Sequence, residues 1–102
     1  MSTRATIKFS NDDEIYYVYR HSDGYPENVQ EDLRETIRTA KGRWINPETG
    51  TLVTLFLAKG YNYDKERLPD YKITPCFHGD ESYRYYCRWN REHKEWEFGV
   101  ID

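Results

Sequence analysis

Residues 3–9 alternate strictly, with Ala5, Ile7 and Phe9 on one side of an extended chain and Arg4, Thr6 and Lys8 on the other. That period of two is the mark of a half-buried strand. Asn11, Asp12 and Asp13 follow as turn chemistry, because short Asx side chains bond the nearby backbone and tolerate left-handed geometry. Glu14 to His21 then reads as the second strand of a hairpin, with Ile15, Tyr17 and Tyr19 turned toward the apolar set of the first. Tyr16 falls on the other face.

The period changes after Ser22-Asp23-Gly24-Tyr25. Pro26 suits the first position of a helix, where its missing N–H costs nothing. Val29, Leu33, Ile37 and Ala40 recur at intervals of three and four, which gives one narrow apolar stripe. Glu27, Glu31 and Asp32 come early and Arg34, Arg38 and Lys41 late, the sign order that the helix dipole favours. Gly42 is placed to end this helix. A second helix begins at Asn46-Pro47-Glu48, with Asn46 as N-cap, and Gly60 closes it. Leu52, Val53, Leu55, Phe56, Leu57 and Ala58 make it apolar almost all round, so it is expected to be the most buried element. Residues 61–70 form a polar connection.

The last third returns to a period of two. Tyr71 to Phe77 reads as a strand that Pro75 assigns to a sheet edge or a bulge. His78-Gly79-Asp80 is expected to turn the chain into the next strand, whose inward face is Tyr83, Tyr85, Cys87 and Trp89 and whose outward face is Arg84, Tyr86 and Arg88. A four-residue loop, Arg91 to Lys94, sets Trp89 opposite Trp96, Cys87 opposite Phe98 and Tyr85 opposite Val100, apolar against apolar at each pair. The order β-β-α-α-β-β-β over one domain, residues 1–102, predicts an α+β fold. Its antiparallel sheet of about five strands carries both helices packed on one face.

Composition changes this picture in one respect. The chain has 3 Trp, 10 Tyr and 4 Phe, more rings than Ile, Leu and Val together, so the core is expected to be built mainly from aromatics. Ile7, Phe9, Tyr17, Tyr19, Phe56, Tyr83, Tyr85, Trp89, Trp96 and Phe98 are assigned to the space between sheet and helices. The formal charge of −3, from 15 Lys+Arg against 18 Asp+Glu, argues against a basic nucleic-acid module. It is also too small to imitate a phosphate backbone. No apolar run approaches the ~20 residues of a membrane span, and the start has no signal-peptide pattern, so the expected location is the cytoplasm. Cys76 and Cys87 lack metal-ligand spacing and read as free thiols.

The densest chemistry is the run Tyr19-Arg20-His21-Ser22-Asp23-Gly24-Tyr25-Pro26-Glu27, where the second strand ends and the first helix starts. A helix N-terminus offers unpaired N–H groups, Arg20 a forked donor, and His21 a group titrating near neutral pH. Asp23 could orient His21 or cap the helix. The same residues also make an ordinary strand-to-helix turn, with Asp23 and Gly24 forming the bend and Arg20 pairing with Glu27. A metal site joining His21, Asp23, His78 and Asp80 fits no ligand spacing. No cofactor is expected. No phosphate-cradling glycine loop occurs, and Ser22 beside His21 makes no dyad, because adjacent residues of an extended chain point opposite ways.

The run YRHSDGYPE, preceded by STRATIKF at Ser2 to Phe9, resembles a family of small uncharacterised bacterial and phage proteins with a Y-R-H-x-D-G-Y-P-E signature near the N-terminus. The resemblance implies an intracellular protein of the kind found on mobile elements. It implies no catalytic residue. Ser22 stands where such proteins often carry an aromatic residue, so no stacking role is carried to that position.

Together these readings favour a binding protein without enzymatic activity that engages a host protein or a small polar or anionic ligand. Interference with a host defence system would suit that setting. The residues expected to touch a ligand or partner are Arg20, His21, Asp23, Tyr25, Glu27 and Tyr86. An aromatic outer sheet face would also suit a homodimer. The rival reading is an enzyme handling a nucleotide or phosphate at the junction, with Arg20 on the phosphate and His21 as acid or base.

Overall fold

The structure is a computed structural model, which describes residues 3–41, 48–59 and 71–101. Its elements follow the expected order: β1 (Ala5–Ser10), β2 (Ile15–Arg20), α1 (Pro26–Lys41), α2 (Thr49–Lys59), β3 (Tyr71–Thr74), β4 (Tyr83–Asn90) and β5 (Glu95–Ile101). The fold is α+β. The β1–β2 turn is closed as its composition demands, since Asn11 Oδ1 accepts from the N–H groups of Asp13 and Glu14 at 2.8 and 2.7 Å. Pro26 opens α1, and Val29, Leu33, Ile37 and Ala40 are all buried along it. Gly42, Asn46, Pro47 and Gly60, the expected helix boundaries, lie outside the described residues. The N-terminus of α2 is instead served from afar: Glu14 Oε2 accepts from the Thr49 N–H at 3.1 Å. This places a carboxylate at the positive end of a helix that has no acid in its own first turn.

The sheet runs in the order β3-β2-β1-β4-β5. Three of its pairings are antiparallel, but β1 and β4 at its centre are parallel. The wholly antiparallel sheet expected from the sequence is therefore corrected to a mixed one. The cause is the link between β3 and β4. The expected local turn at His78-Gly79-Asp80 is instead part of a crossover, residues 75–82, that passes over β2 and β1 before joining β4. Three strand spacings are about 14 Å, well within the reach of eight residues at about 3.3 Å each. The C-terminal hairpin pairs as expected, Tyr85 with Val100, Cys87 with Phe98 and Trp89 with Trp96. Both cysteines are free, Cys76 exposed and Cys87 buried.

The register assigns every strand residue to a face. Ala5, Ile7 and Phe9 share the helix side with Tyr16, Val18 and Arg20 and with Tyr83, Tyr85 and Cys87. Tyr17 and Tyr19 lie on the other side, opposite Lys8 and Thr6. The expected orientation of β2 is thus reversed by one residue, and Tyr17 and Tyr19 leave the space between sheet and helices. An unbroken run from Ile15 to Tyr19 carries no alternation to select a face, and a slip of one residue exchanges every side chain. The second half of β2 is covered on both sides, burying Val18 and Tyr19, while Ile15 and Tyr16 stay exposed: α2 packs on the helix side, and the crossover brings Phe77 and His78 to the other.

The core lies between sheet and helices. Ile7, Phe9, Val18, Leu33, Leu52, Phe56 and Tyr85 are fully enclosed there, and Phe9 meets Phe56 edge-on at 5.2 Å. α2 is not the most buried element. Leu52, Val53 and Phe56 are buried, Leu55 and Leu57 are half-buried, and Ala58 is exposed. That place belongs to β1, flanked by strands on both sides, where Ala5, Thr6, Ile7 and Phe9 lose all contact with solvent.

Candidate functional site

The junction between β2 and α1 is held by its own residues. Arg20 points to the helix side, where its Nε donates to the Ser22 carbonyl at 2.6 Å and one terminal nitrogen donates to Tyr71 Oη at 2.8 Å. The same nitrogen lies 3.4 Å from Asp32 Oδ2, and Tyr71 Oη donates to that carboxylate oxygen at 2.7 Å. The guanidinium also faces the Tyr71 ring at 5.0 Å. Arg20, Asp32 and Tyr71 therefore tie β2, α1 and β3 together. Burial, and next the bond to Asp32, push the Tyr71 hydroxyl well above the ordinary phenol value.

The remaining residues of the run close the turn. Asp23 adopts φ +56°, a left-handed conformation that Asp tolerates better than most residues, and its carbonyl accepts from Asn28 Nδ2 at 3.0 Å. Gly24 is buried, donates to the Thr3 carbonyl at 2.9 Å and accepts from Tyr85 Oη at 2.7 Å. A Cβ at this position would lie 2.7 Å from that of Ala5, so only glycine lets the turn sit this close to β1. The Tyr25 carbonyl receives the Asn28 and Val29 N–H groups that begin α1, while its ring stays exposed, 6.3 Å from that of Tyr83. Glu27 is exposed on the first turn of α1.

His21 is separated from Arg20 because adjacent residues of an extended chain point opposite ways. It is exposed and edge-on to Tyr19 at 5.0 Å. The structure therefore brings Arg20 together with Asp32 and Tyr71, not with His21. Tyr19 itself is covered by His78, whose ring stacks on it at 3.8 Å, with Lys72 Nζ 5.3 Å from the same ring. Asp80 sits beside this stack, paired with an Arg4 terminal nitrogen at 2.9 Å and 3.9 Å from His78 Nδ1. Burial and then the nearby Asp80 charge raise the Tyr19 hydroxyl above its ordinary value. Among the described residues no three His, Cys, Asp or Glu side chains gather closely enough to hold a metal ion.

Away from the junction, the outer face of the sheet presents an alternation of rings and guanidinium groups. The Arg84 guanidinium faces the Phe77 ring at 4.9 Å and Arg88 faces Tyr86 at 5.0 Å. Each arginine is also held by a carboxylate, Arg84 by Glu81 at 2.7 Å and Arg88 by Glu97 at 3.4 Å. Burial pushes the Glu81 carboxyl up, but the Arg84 bond and the Glu81 and Gly79 backbone bonds outweigh it, leaving it below its ordinary value. The Asn90 bond and then Arg88 hold Glu97 down in the same sense. Gly99 lets the Tyr86 ring lie flat across the β4–β5 pair, since a Cβ there would come within 2.9 Å of Tyr86 Oη.

Of the residues named from the sequence, Tyr86 belongs to this face, and His21 lies on the same side of the sheet. Phe77, His78 and Lys72 were missed, because their places depend on the crossover. The one available signal was the Ile15–Tyr19 run, which reads as a strand buried on both faces and so requires something to lie over the outer one. Comparison of the chain with protein-family models, with characterised proteins and with solved structures gave no match.

Proposed function

We propose that this chain is a binding protein without enzymatic activity, of the kind carried by phages and mobile elements, and that it engages a host protein through the outer sheet face. The observation that supports this reading is the Phe77–Arg84–Tyr86–Arg88 alternation. Tyr and Arg are the side chains that most often dominate protein interfaces. Here they are already fixed, by ring stacking and by Glu81 and Glu97, so little side-chain freedom is lost on binding. The same two carboxylates neutralise the arginines, which favours a protein surface over a phosphate backbone. Interference with a host defence component fits the setting that the YRHSDGYPE resemblance suggests.

The rival reading, a nucleotide- or phosphate-handling enzyme at Arg20, His21 and Asp23, draws less support. Arg20 is committed to Ser22, Tyr71 and Asp32, and His21 faces away from it. The discriminating experiment is affinity capture from bacterial lysates with the wild-type protein and with Tyr86→Ala combined with Arg88→Ala. The expected result is a protein retained by the wild type and lost by a variant whose melting midpoint is unchanged. Identical retained sets, or none across hosts, would overturn the proposal.

A further inference from the structure

The two edges of the sheet are built differently. β3 is four residues long and ends against Pro75, features that discourage another strand from pairing with it. β5 is seven residues long, contains no Pro, Lys or Arg, and pairs with β4 without a bulge from Glu95 to Ile101. Being last in the sheet order, it presents an outer backbone edge that no described strand occupies. Val100 and Ile101, at its end, are exposed at 38% and 36%. Of the common devices that protect an edge, β5 lacks Pro, Lys and a bulge, and its only charges, Glu95 and Glu97, stand on the outer face, away from the helices.

A groove of about 290 Å³ runs beside this edge on the helix side, between β5 and the C-terminal half of α1. Its floor is apolar, made by Ile37, Trp96 and Phe98, and its rim is cationic, made by Arg34, Arg38 and Lys41. Arg34 leans toward the Phe98 ring at 5.7 Å and pairs with Glu31 at 2.7 Å. Arg38 and Lys41 meet no carboxylate among the described residues. In a chain of net charge −3 this concentration of positive charge is local.

We propose that β5 and this groove form a docking site for an extended acidic segment of a partner protein, which adds to the sheet as a sixth strand. Backbone pairing along β5 supplies affinity, and alternate side chains supply selectivity. On the helix side of the guest strand an apolar residue enters the groove over Ile37, Trp96 and Phe98. A residue two positions away on the same face is Asp or Glu and meets Arg38 and Lys41. A second copy of this chain is a poorer occupant. Antiparallel pairing of β5 with its own copy would bring two cationic rims together on one side of the sheet, and like charges opposed in this way are unfavourable.

The test uses the full chain and a fluorescein-labelled peptide of alternating sequence, Thr-Asp-Thr-Leu repeated, read by fluorescence anisotropy and by amide chemical-shift mapping. Binding is expected to perturb residues 34–41 and 95–101 and to weaken as salt is raised. A Lys-for-Asp peptide, and one with alternate backbone amides methylated, should each bind about tenfold more weakly or worse. Arg38→Glu combined with Lys41→Glu should lose a similar factor while the protein stays folded, its melting midpoint lowered by several degrees because two charges at the C-terminal end of α1 now oppose the helix dipole. The proposal is overturned if the acidic peptide fails to bind at millimolar concentration, or if the Lys-for-Asp peptide or the methylated peptide binds as well. It is equally overturned if the charge-reversed protein retains affinity or if the shifts map elsewhere. A dimer in sedimentation that protects the Trp96 edge would overturn it in favour of a second copy. The groove lies on the opposite side of the sheet from Tyr86, so capture through the outer face stands or falls separately.

Discussion

Gly24 shows how closely single residues are constrained here. It has no left-handed φ to require glycine, and its demand is for space: an added methyl would press against Ala5 at 2.7 Å and the Thr3 carbonyl at 3.0 Å. Both neighbours belong to or adjoin the central strand, which has no room to retreat. Gly24→Ala is therefore expected to cost about 1–3 kcal/mol, read as a melting midpoint lower by ~4–8 °C for each kcal/mol. A midpoint equal to wild type would mean that the turn does not bear on β1. Cys87 illustrates the opposite case, a residue with reactive chemistry made inert by its place. Burial pushes its thiol far above the ordinary value, and its neighbours across the sheet are Phe9 and Phe98.

At the scale of elements, the Arg20–Asp32–Tyr71 contact is what couples β2 and β3 to α1. The Arg20 and Asp32 side chains retain only 12% and 28% of their exposure, so removing one partner strands the other in a poorly hydrated place. Arg20→Ala is expected to cost about 2 kcal/mol of stability. His21→Ala, next to it in sequence but exposed on the other face, should stay within about 0.5 kcal/mol of wild type. Chemical denaturation of the two variants separates the roles. Equal losses would show that the YRHSDGYPE run acts as one rigid unit, and no loss from Arg20→Ala would release that side chain for a ligand.

At the scale of the whole molecule, the crossover from β3 to β4 is the feature that covers the β2 part of the sheet's second face. It is anchored by Phe77 against Tyr17, by His78 on Tyr19, and by Glu81 on Arg84. The Glu81 side chain is fully covered while Arg84 stays half exposed. Because its carboxyl lies below the ordinary value when folded, the folded chain binds that proton less readily than the unfolded chain does. This contribution is complete above the ordinary glutamate value, about 4.3, and is lost as pH falls through the lower folded one. Glu81→Gln should accordingly flatten the decline in stability between about pH 5 and pH 3, measured as the denaturant midpoint against pH. An unchanged slope would mean that the crossover is held by its rings alone.

The sequence alone determined every element that rests on local chemistry. The Asx turn after β1, the proline start of α1, its apolar stripe and the β4–β5 register all follow from side-chain period and turn residues, which act within a few positions. The mainly aromatic core expected from composition is corrected: Phe9, Phe56, Tyr71, Tyr85 and Trp96 are buried, but Ile7, Val18, Val29, Leu33, Ile37, Leu52 and Val53 are buried with them and outnumber the rings among the described residues. Tertiary structure decided what local period cannot encode. β2 is apolar on both faces, so only the arrival of α2 on one side and the crossover on the other selected which tyrosines turn inward. The parallel pairing of β1 with β4 depends on where residues 75–82 travel, a long-range choice with no local signature. The same choice placed Phe77 and His78 over the sheet, while the register put Arg20 on the helix side beside Asp32 and Tyr71, so the neighbours of the candidate residues could not be read from the sequence.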